Sequence, residues 1–430
     1  MPGVRIEADP SHLRDSALPY VAAAAERLPA PTEPSFAKSF DRFSEARIVL
    51  LGAACEGAAE FQQARAAITR WLIERRGFNV VAIAADWAEV PSPSLVSSGP
   101  ASRRPATEPA RPSAAQPLWR GAEFEAFFRW LSDHNARAPD VDRVVLQGLD
   151  IYGSDSAVRQ AGEVLARLDP DCARIVRARF GYNAPWAQEG LGVSHAVSGR
   201  YARCEGAVTT ALKDSLRRRF AEHAAKDATL PAAHVARLIH DAEAYYRAQY
   251  YGAGDGASLR SAHIYETLDA VMRARGPDAR AVVWAHNADV GDAGATEMGL
   301  VRDHHSLGQL CRQRFGEAAV RIGFSSGAGT LASRDGPGGA RQIQTLTPPL
   351  AGSHEALSQA VGQDRFLLDL RSGVHSTLRR ALAEPRLERF IGETYDPDHE
   401  RAHHYAECRL PEQFDAWVWF AETTATEPSA

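Results

Sequence analysis

The sequence predicts an α/β protein: a central, mainly parallel sheet flanked by helices, with a helical subdomain beside it. Short apolar runs that end in Gly, Asp, Asn or Ser recur along the 430 residues. Most are followed by a long amphipathic stretch, which is the rhythm of βα units. At 45% hydrophobic and 24% charged, the chain carries the apolar content of a core, and its length calls for one large or two closely packed domains. The same composition excludes disorder, a collagen repeat and a small disulfide scaffold.

In chain order, residues 1–39 read as an N-terminal arm and 40–430 as the domain. Ala46 to Leu51 is the first apolar run and predicts a strand. It leads through Gly52–Glu60 into a helix from about Glu60 to Arg76, where Phe61, Ile68, Trp71 and Leu72 recur at near-helical spacing and Gly77 is the stop. Further strands are expected at Val80 to Ala84, Arg143 to Leu146, Ala281 to Ala285, Val320 to Phe324, Phe366 to Leu370 and Ala416 to Phe420. Between Val90 and Pro117 the chain is rich in Pro, Ser and Ala and poor in large apolar residues, so a mobile surface loop is expected there, with Arg103, Arg104 and Arg111 solvated or facing an acidic partner. From Ala157 to Arg275 the pattern is helical, which predicts the subdomain. No internal repeat is visible.

A formal charge of -5, from 49 basic and 54 acidic side chains, leaves no electrostatic footprint for a polyanion, so no nucleic-acid partner is expected. The N-terminus lacks the basic-then-apolar pattern of a secretory signal, and no apolar run approaches the roughly 18 residues of a membrane span, so no membrane association and a cytoplasmic location are expected. The five cysteines (Cys55, Cys172, Cys204, Cys311, Cys408) are scattered and never spaced C-x-x-C, which supports neither a disulfide framework nor a structural zinc.

In open α/β sheets ligands bind beyond the carboxyl ends of the strands, because loops converge there and helix N-termini present N–H groups. The strand assignments therefore nominate Cys55 and Glu56 after the first strand, Asp86 after the second, Asp150 after the third, His286 and Asp289 after the fourth, and Ser325 and Ser326 after the fifth. One imidazole and several carboxylates in one cleft suit proton transfer. Each residue also has a plainer reading. His286 could orient its loop through hydrogen bonds, Glu56 could sit at a helix N-terminus without reacting, and Asp86 and Asp150 could be caps or ion-pair partners. Cys55 needs its thiolate to react, and cysteines are among the most buried residues. His304-His305 and His403-His404 resemble metal ligands, but adjacent strand residues point to opposite faces, and no metal site is assigned.

These residues sit in blocks that resemble the erythromycin esterase family from about Phe40 to Pro428. The blocks are Arg47 to Phe78, Ala85 to Val90 (ADWAEV), Gln147 to Gly153 (QGLDIYG), Ala242 to Tyr250, Val282 to Gly299 (VVWAHNADVGDAGATEMG) and Leu410 to Pro428. The resemblance implies a metal-independent hydrolase that opens macrolide lactones with an activated water, on an α/β core with a helical part, acting on a small molecule without a cofactor. The chain departs from the family in the site itself. Where the family's first block reads G-E-x-x-H-G-x-x-E, Ala53 stands at the acidic position and Glu56 at the histidine. Ala84 replaces the glutamate of E-A-D-W, leaving Asp86 and Trp87; Asp289 replaces the second histidine of W-A-H-N-x-H; Ser261 replaces the acid of N-x-R-D. Arg65, Asp150, Arg260 and His286 are retained.

A carboxylate is a weaker base than an imidazole by about two pKa units, or roughly 3 kcal/mol of driving force, so Glu56 does not simply inherit the histidine's task. One reading is a repurposed enzyme performing acid/base chemistry on a small or medium organic metabolite, by rearrangement, elimination, cyclisation or atypical hydrolysis, in specialised metabolism. There Glu56 and His286 form the acid/base pair, Asp86 and Asp289 orient or tune them, and Arg65, Cys55, Trp87, Asp150 and Arg260 contact substrate. A second is a ligand-binding protein without turnover, to which Ala53 and Ala84 would give a roomier cleft. A third is a surviving esterase with Glu56 as base. Oligomeric state is not legible.

Overall fold

The residues of Ile48–Leu51 (β2) are all 0% exposed, which requires cover on both faces of the strand. The alternation of its side chains supplies two cores. Val49 and Leu51 pack with Phe61, Ile68 and Leu72 of the helix Ala59–Arg76 and with Phe124 and Phe127 of the helix Ala122–Arg137. Ile48 and Leu50 pack on the other side with Ile264, Leu268 and Met272 of the helix Gly256–Arg275 and with Trp417 and Trp419. Burial on both faces is what parallel strands joined by helices demand. The computed structural model describes residues 15–86, 90, 117–150, 241, 244–245, 256–336 and 339–428.

The remaining strands are Glu26–Arg27 (β1), Val80–Asp86 (β3), Val145–Asp150 (β4), Ala281–Trp284 (β5), Ala319–Arg334 (β6), Arg341–Thr345 (β7), Arg365–Asp369 (β8), Arg386–Arg389 (β9), Tyr405–Cys408 (β10) and Ala416–Thr423 (β11). A nine-stranded sheet runs β1-β8-β11-β6-β2-β5-β3-β4, with β7 paired to β6 off this path. From β11 to β4 every neighbouring pair along that order is parallel, with Leu51 beside Trp284 on one side and Ile322 on the other. β8 joins β11 antiparallel, and β1 joins β8 antiparallel. β9 and β10 form a separate antiparallel pair. The mixed, mostly parallel sheet between helices is the class expected from the βα rhythm.

Each strand expected from the apolar runs is present, with shifted ends. The helix expected from Glu60 to Arg76 starts at Ala59 and stops at Gly77, whose left-handed φ of 68° ends it. The fifth expected strand is longer than its apolar run: β6 continues through Ser325 and Ser326, which therefore lie inside the strand and are 0% and 3% exposed. The Ser-Ser-Gly-Ala-Gly stretch follows the apolar run, yet pairing with β11 through Gly329 keeps it extended, and β7 pairs with β6 from Thr330 to Arg334. Asp86 and Asp150 are the last residues of their strands and lie in register with one another. β1, β7, β9 and β10 were outside the expected set, because they are short or carry mainly polar residues such as Arg341-Gln342-Ile343-Gln344.

Of the expected arm 1–39, the described part packs on the sheet through the helix Leu18–Ala24 and β1, with Val21 1% and Phe36 0% exposed. Trp87, the interior of the expected loop (91–116) and the stretch 157–240 of the expected helical subdomain lie outside the described residues. Among the described residues no helix is long and apolar enough to cross a membrane.

Candidate active site at the strand ends

β2, β5 and β6 are neighbours, so their carboxyl ends bring together the segments that follow β2 and β5. Gly52 and Ala54 donate their N–H groups to Ile322 and Phe324 of β6, laying the loop after β2 across the sheet. Gly57 then passes so close to β6 that a Cβ there would stand 1.9 Å from the Ala332 carbonyl oxygen, so only glycine fits. On this loop Ala53 is 0% exposed, and its carbonyl accepts from Asn287 N. Ala53 is packed over, which removes the open space expected there.

Glu56 and Arg65 form a two-point ion pair. Arg65 Nη1 donates to Glu56 Oε2 at 2.9 Å and Nη2 to Oε1 at 3.3 Å. The same guanidinium donates from Nε to Gly52 O at 3.0 Å and from Nη2 to Ala285 O. Arg65, expected to hold a substrate anion, is 2% exposed and spends these donors on Glu56 and on the two strand-end loops. The Glu56 side chain keeps 26% of its surface exposed. Of the pair, the carboxylate alone is open to an incoming molecule.

His286 does not have the geometry of a proton carrier. Its Nε2 lies 3.1 Å from both Ala54 O and Ile391 O, while Nδ1 accepts from Ala288 N at 3.2 Å and so caps the short helix Asn287–Val290. An acceptor at Nδ1 and two carbonyls at Nε2 select the neutral Nε2–H tautomer. Burial pushes its pKa below the ordinary value although the charges of Glu56 and Asp289 favour the imidazolium. The ring ties the loop after β2, the segment after β5 and Ile391 into one unit. His286→Ala is therefore expected to cost about 1–3 kcal/mol in denaturant unfolding, since it takes the ring from the Ile391 carbonyl and the Ala288 N–H, whereas the Ala54 carbonyl keeps the N–H of Ile391. An unchanged midpoint would show that the ring pins nothing.

A second charged group lies beside the first. Arg260 donates from Nε and Nη2 to Asp150 Oδ2 at 2.9 and 2.6 Å, and from Nη1 to Asp289 Oδ1 at 2.7 Å. Asp150 is 0% and Asp289 7% exposed. Burial raises the Asp150 pKa, against the opposing pull of Arg260. Asp289 is thus a counterion of Arg260. His304 is buried nearby, where desolvation lowers its pKa against the charge of Asp289.

Cys55 is 2% exposed, and burial together with the Glu56 charge pushes its thiol up to about 12. A thiol so placed is protonated near neutrality and is not the nucleophile. Of the histidine pairs, His403 Nδ1 meets Asp396 Oδ2 at 3.2 Å and His404 Nε2 accepts from Asp396 N at 2.8 Å. Among the described residues no group of three or more His, Cys, Asp or Glu could hold a metal ion.

Asn287 and Glu388 were not among the candidates. Asn287 Nδ2 donates to Phe324 O at 3.0 Å and to Glu388 Oε1 at 3.2 Å, and Asn287 Oδ1 accepts from Phe324 N at 3.2 Å. The Trp-Ala-His-Asn strand end pointed to this place, but nothing in Arg-Leu-Glu-Arg marks Glu388 as its partner.

A family model for erythromycin esterase matches residues 73–423. Three solved structures share the fold. A succinoglycan biosynthesis protein is 17% identical at a TM-score of 0.65, covering 98% of this chain and 100% of its own. A Bacillus cereus protein is 19% identical at 0.63, covering 96% and 98%. A mutant of the erythromycin esterase EreC in its open conformation is 17% identical at 0.54, covering 94% and 98%. At these identities the likeness to the three structures is one of fold.

Proposed function

Because this chain belongs to the erythromycin esterase family, we propose that it uses the family's hydrolase-like scaffold for a different reaction: proton transfer on a small or medium organic metabolite by Glu56, without macrolide hydrolysis. The observation that carries this reading is the contrast between the two partners of one ion pair. Arg65 is 2% exposed and anchored to Gly52 and Ala285, whereas Glu56 keeps 26% of its side chain exposed beyond the ends of the strands. The buried guanidinium fixes the carboxylate in one orientation, and the exposed edge accepts or returns a proton. Preorganisation of this kind is what a proton-transfer group requires.

Other groups at the strand ends support Glu56 without reacting. His286 positions the loop that carries it, and Arg260 with Asp150 and Asp289 forms the adjoining wall. A lone carboxylate suits rearrangement, elimination or cyclisation, in which one proton leaves and another returns. It suits water activation less, by the roughly 3 kcal/mol that separates carboxylate from imidazole as base. Incubation with erythromycin followed by mass spectrometry is therefore expected to leave the macrolide intact, whereas rapid formation of a water-added product would restore the esterase reading.

One observation favours binding without turnover: both ring nitrogens of His286 are committed to backbone groups. Incubation with a small-molecule extract of cells that carry the protein separates the two readings. Consumption of a metabolite supports the enzyme, and ligand-induced thermal stabilisation with no product supports the binding protein.

A further inference from the structure

Behind the segment that carries His286 and Asn287 lie two carboxyl groups that the strand-end chemistry does not use. Glu355 is in the first turn of the helix His354–Ala360 and Glu388 is in β9, and both are 0% exposed. Glu388 Oε1 accepts from Asn287 Nδ2 at 3.2 Å, and Oε2 from Cys408 Sγ at 3.0 Å. Glu355 Oε1 accepts from Ser325 Oγ at 2.9 Å and at 3.0 Å from the N–H of Arg389, the residue after Glu388. Glu355 Oε2 is buried with no hydrogen-bond partner among the described residues.

The charges around the pair do not balance. From β9, Arg389 brings a guanidinium that is 1% exposed, but its Nε lies 2.9 Å from Glu400 Oε1 of the helix Glu400–His403, so Glu355 shares it. From β10 come the Cys408 thiol and Tyr405, whose ring lies under the Arg389 guanidinium at 5.4 Å. Both are neutral near pH 7, because burial raises each pKa and the Glu355 charge adds to it. From the sheet and the short helix after β5 come Ser325 and Asn287, and from the helix Leu410–Gln413 comes the amide of Gln413, all of them neutral. Glu388 and Arg389 are adjacent in β9 and point to opposite faces, so the buried guanidinium serves Glu355 and Glu400, while among the described residues Glu388 has no ion-pair partner, and a second uncompensated charge in this interior is costly.

We propose that Glu355 and Glu388 together hold one proton at neutral pH and form a pH-sensitive latch, in which protonated Glu388 keeps β9 and β10 seated against the Asn287 end of the active site. Arg389 favours charge on Glu355, which leaves the proton on Glu388 Oε2, whose O–H then donates to Cys408 Sγ. Burial and the Glu355 charge push Glu388 up to about 8. Losing that proton puts two like charges in the same interior, and movement of β9 and β10 toward water relieves them.

The sign follows from linkage. Between the ordinary value of 4.5 and about 8 the folded protein holds a proton that the unfolded chain has lost. This group's contribution to stability therefore falls as pH rises through that window and is constant above it. Thermal melts of wild-type and Glu388→Gln from about pH 7.5 to 9, above the value near 6.5 at which the buried histidines titrate once unfolded, read it directly. The wild-type midpoint is expected to fall by a few degrees, while Glu388→Gln, with no proton to lose, stays flatter; parallel slopes would overturn the proposal.

An independent readout uses the wild-type protein alone, which covers failure of the variant to fold. Infrared spectra are expected to show a protonated buried carboxyl near pH 7 that titrates away near pH 8, and no such band at pH 7 would overturn the shared proton. Glu355→Gln removes the neighbouring charge and is expected to move that titration to lower pH; an unmoved titration would show that the two groups do not share a proton. Hydrogen exchange, corrected for its intrinsic pH dependence, is expected to speed up above pH 8 in Asn287–Val290 and Arg386–Arg389. Unchanged protection there would remove the latch.

Discussion

Arg260→Met is expected to lower stability by about 3–5 kcal/mol at neutral pH, the scale for removing one partner of a buried ion pair. Its guanidinium makes three of the contacts that compensate Asp150 and Asp289, whose side chains are 0% and 10% exposed. Methionine fills similar volume but leaves two carboxylates in a dry site. Burial already raises the Asp150 pKa with Arg260 present, and loss of the cation raises it further. A raised carboxyl pKa stabilises the folded state at low pH, so the gap between variant and wild type should narrow as pH falls toward about 5. Denaturant unfolding at several pH values measures both effects. A cost under about 1 kcal/mol, with no pH dependence, would mean that the network is solvated and weak.

The fold was legible where burial wrote itself into composition. β2, β5 and β11 are apolar because helices cover both faces of the sheet, and a strand buried on both faces has no room for polar residues. The parts that escaped were stabilised by partners instead of by their own side chains. β1 is a two-residue edge held by β8, and β7 is a polar strand held by β6, with Ile343 70% exposed. β6 overran its apolar run because pairing with β11 keeps a serine and glycine stretch extended.

The site was legible as a place and less so as a set of roles. Glu56, Asp150, His286 and Asp289 lie at or just after the ends of β2, β4 and β5, since the end of a strand is a property of local sequence. Their roles depend on which donor or acceptor each side chain meets. Nothing local to Trp-Ala-His-Asn says that the His286 ring spans Ala54, Ala288 and Ile391, separated from it by as many as 232 positions. For the same reason Arg65 reads as a substrate anchor in sequence and is the partner of Glu56 in the fold. Glu388 was invisible because a charged residue in a short polar strand is ordinarily at the surface.

Glu56→Gln keeps the side chain's shape and removes the carboxylate. Arg65 retains Gly52 O, Ala285 O and one amide oxygen, so the expected stability cost is moderate, about 1–3 kcal/mol. Turnover of any metabolite that depends on proton transfer at Glu56 should fall by about 10²–10⁴. The direct test runs wild-type and Glu56→Gln side by side, at equal folded concentration and well below the melting range, on a small-molecule extract of cells that carry the protein, with untargeted mass spectrometry over time. At least one metabolite should be consumed by the wild type, with its product formed at least about 100-fold more slowly by the variant; equal rates in the two proteins would contradict the assignment of Glu56.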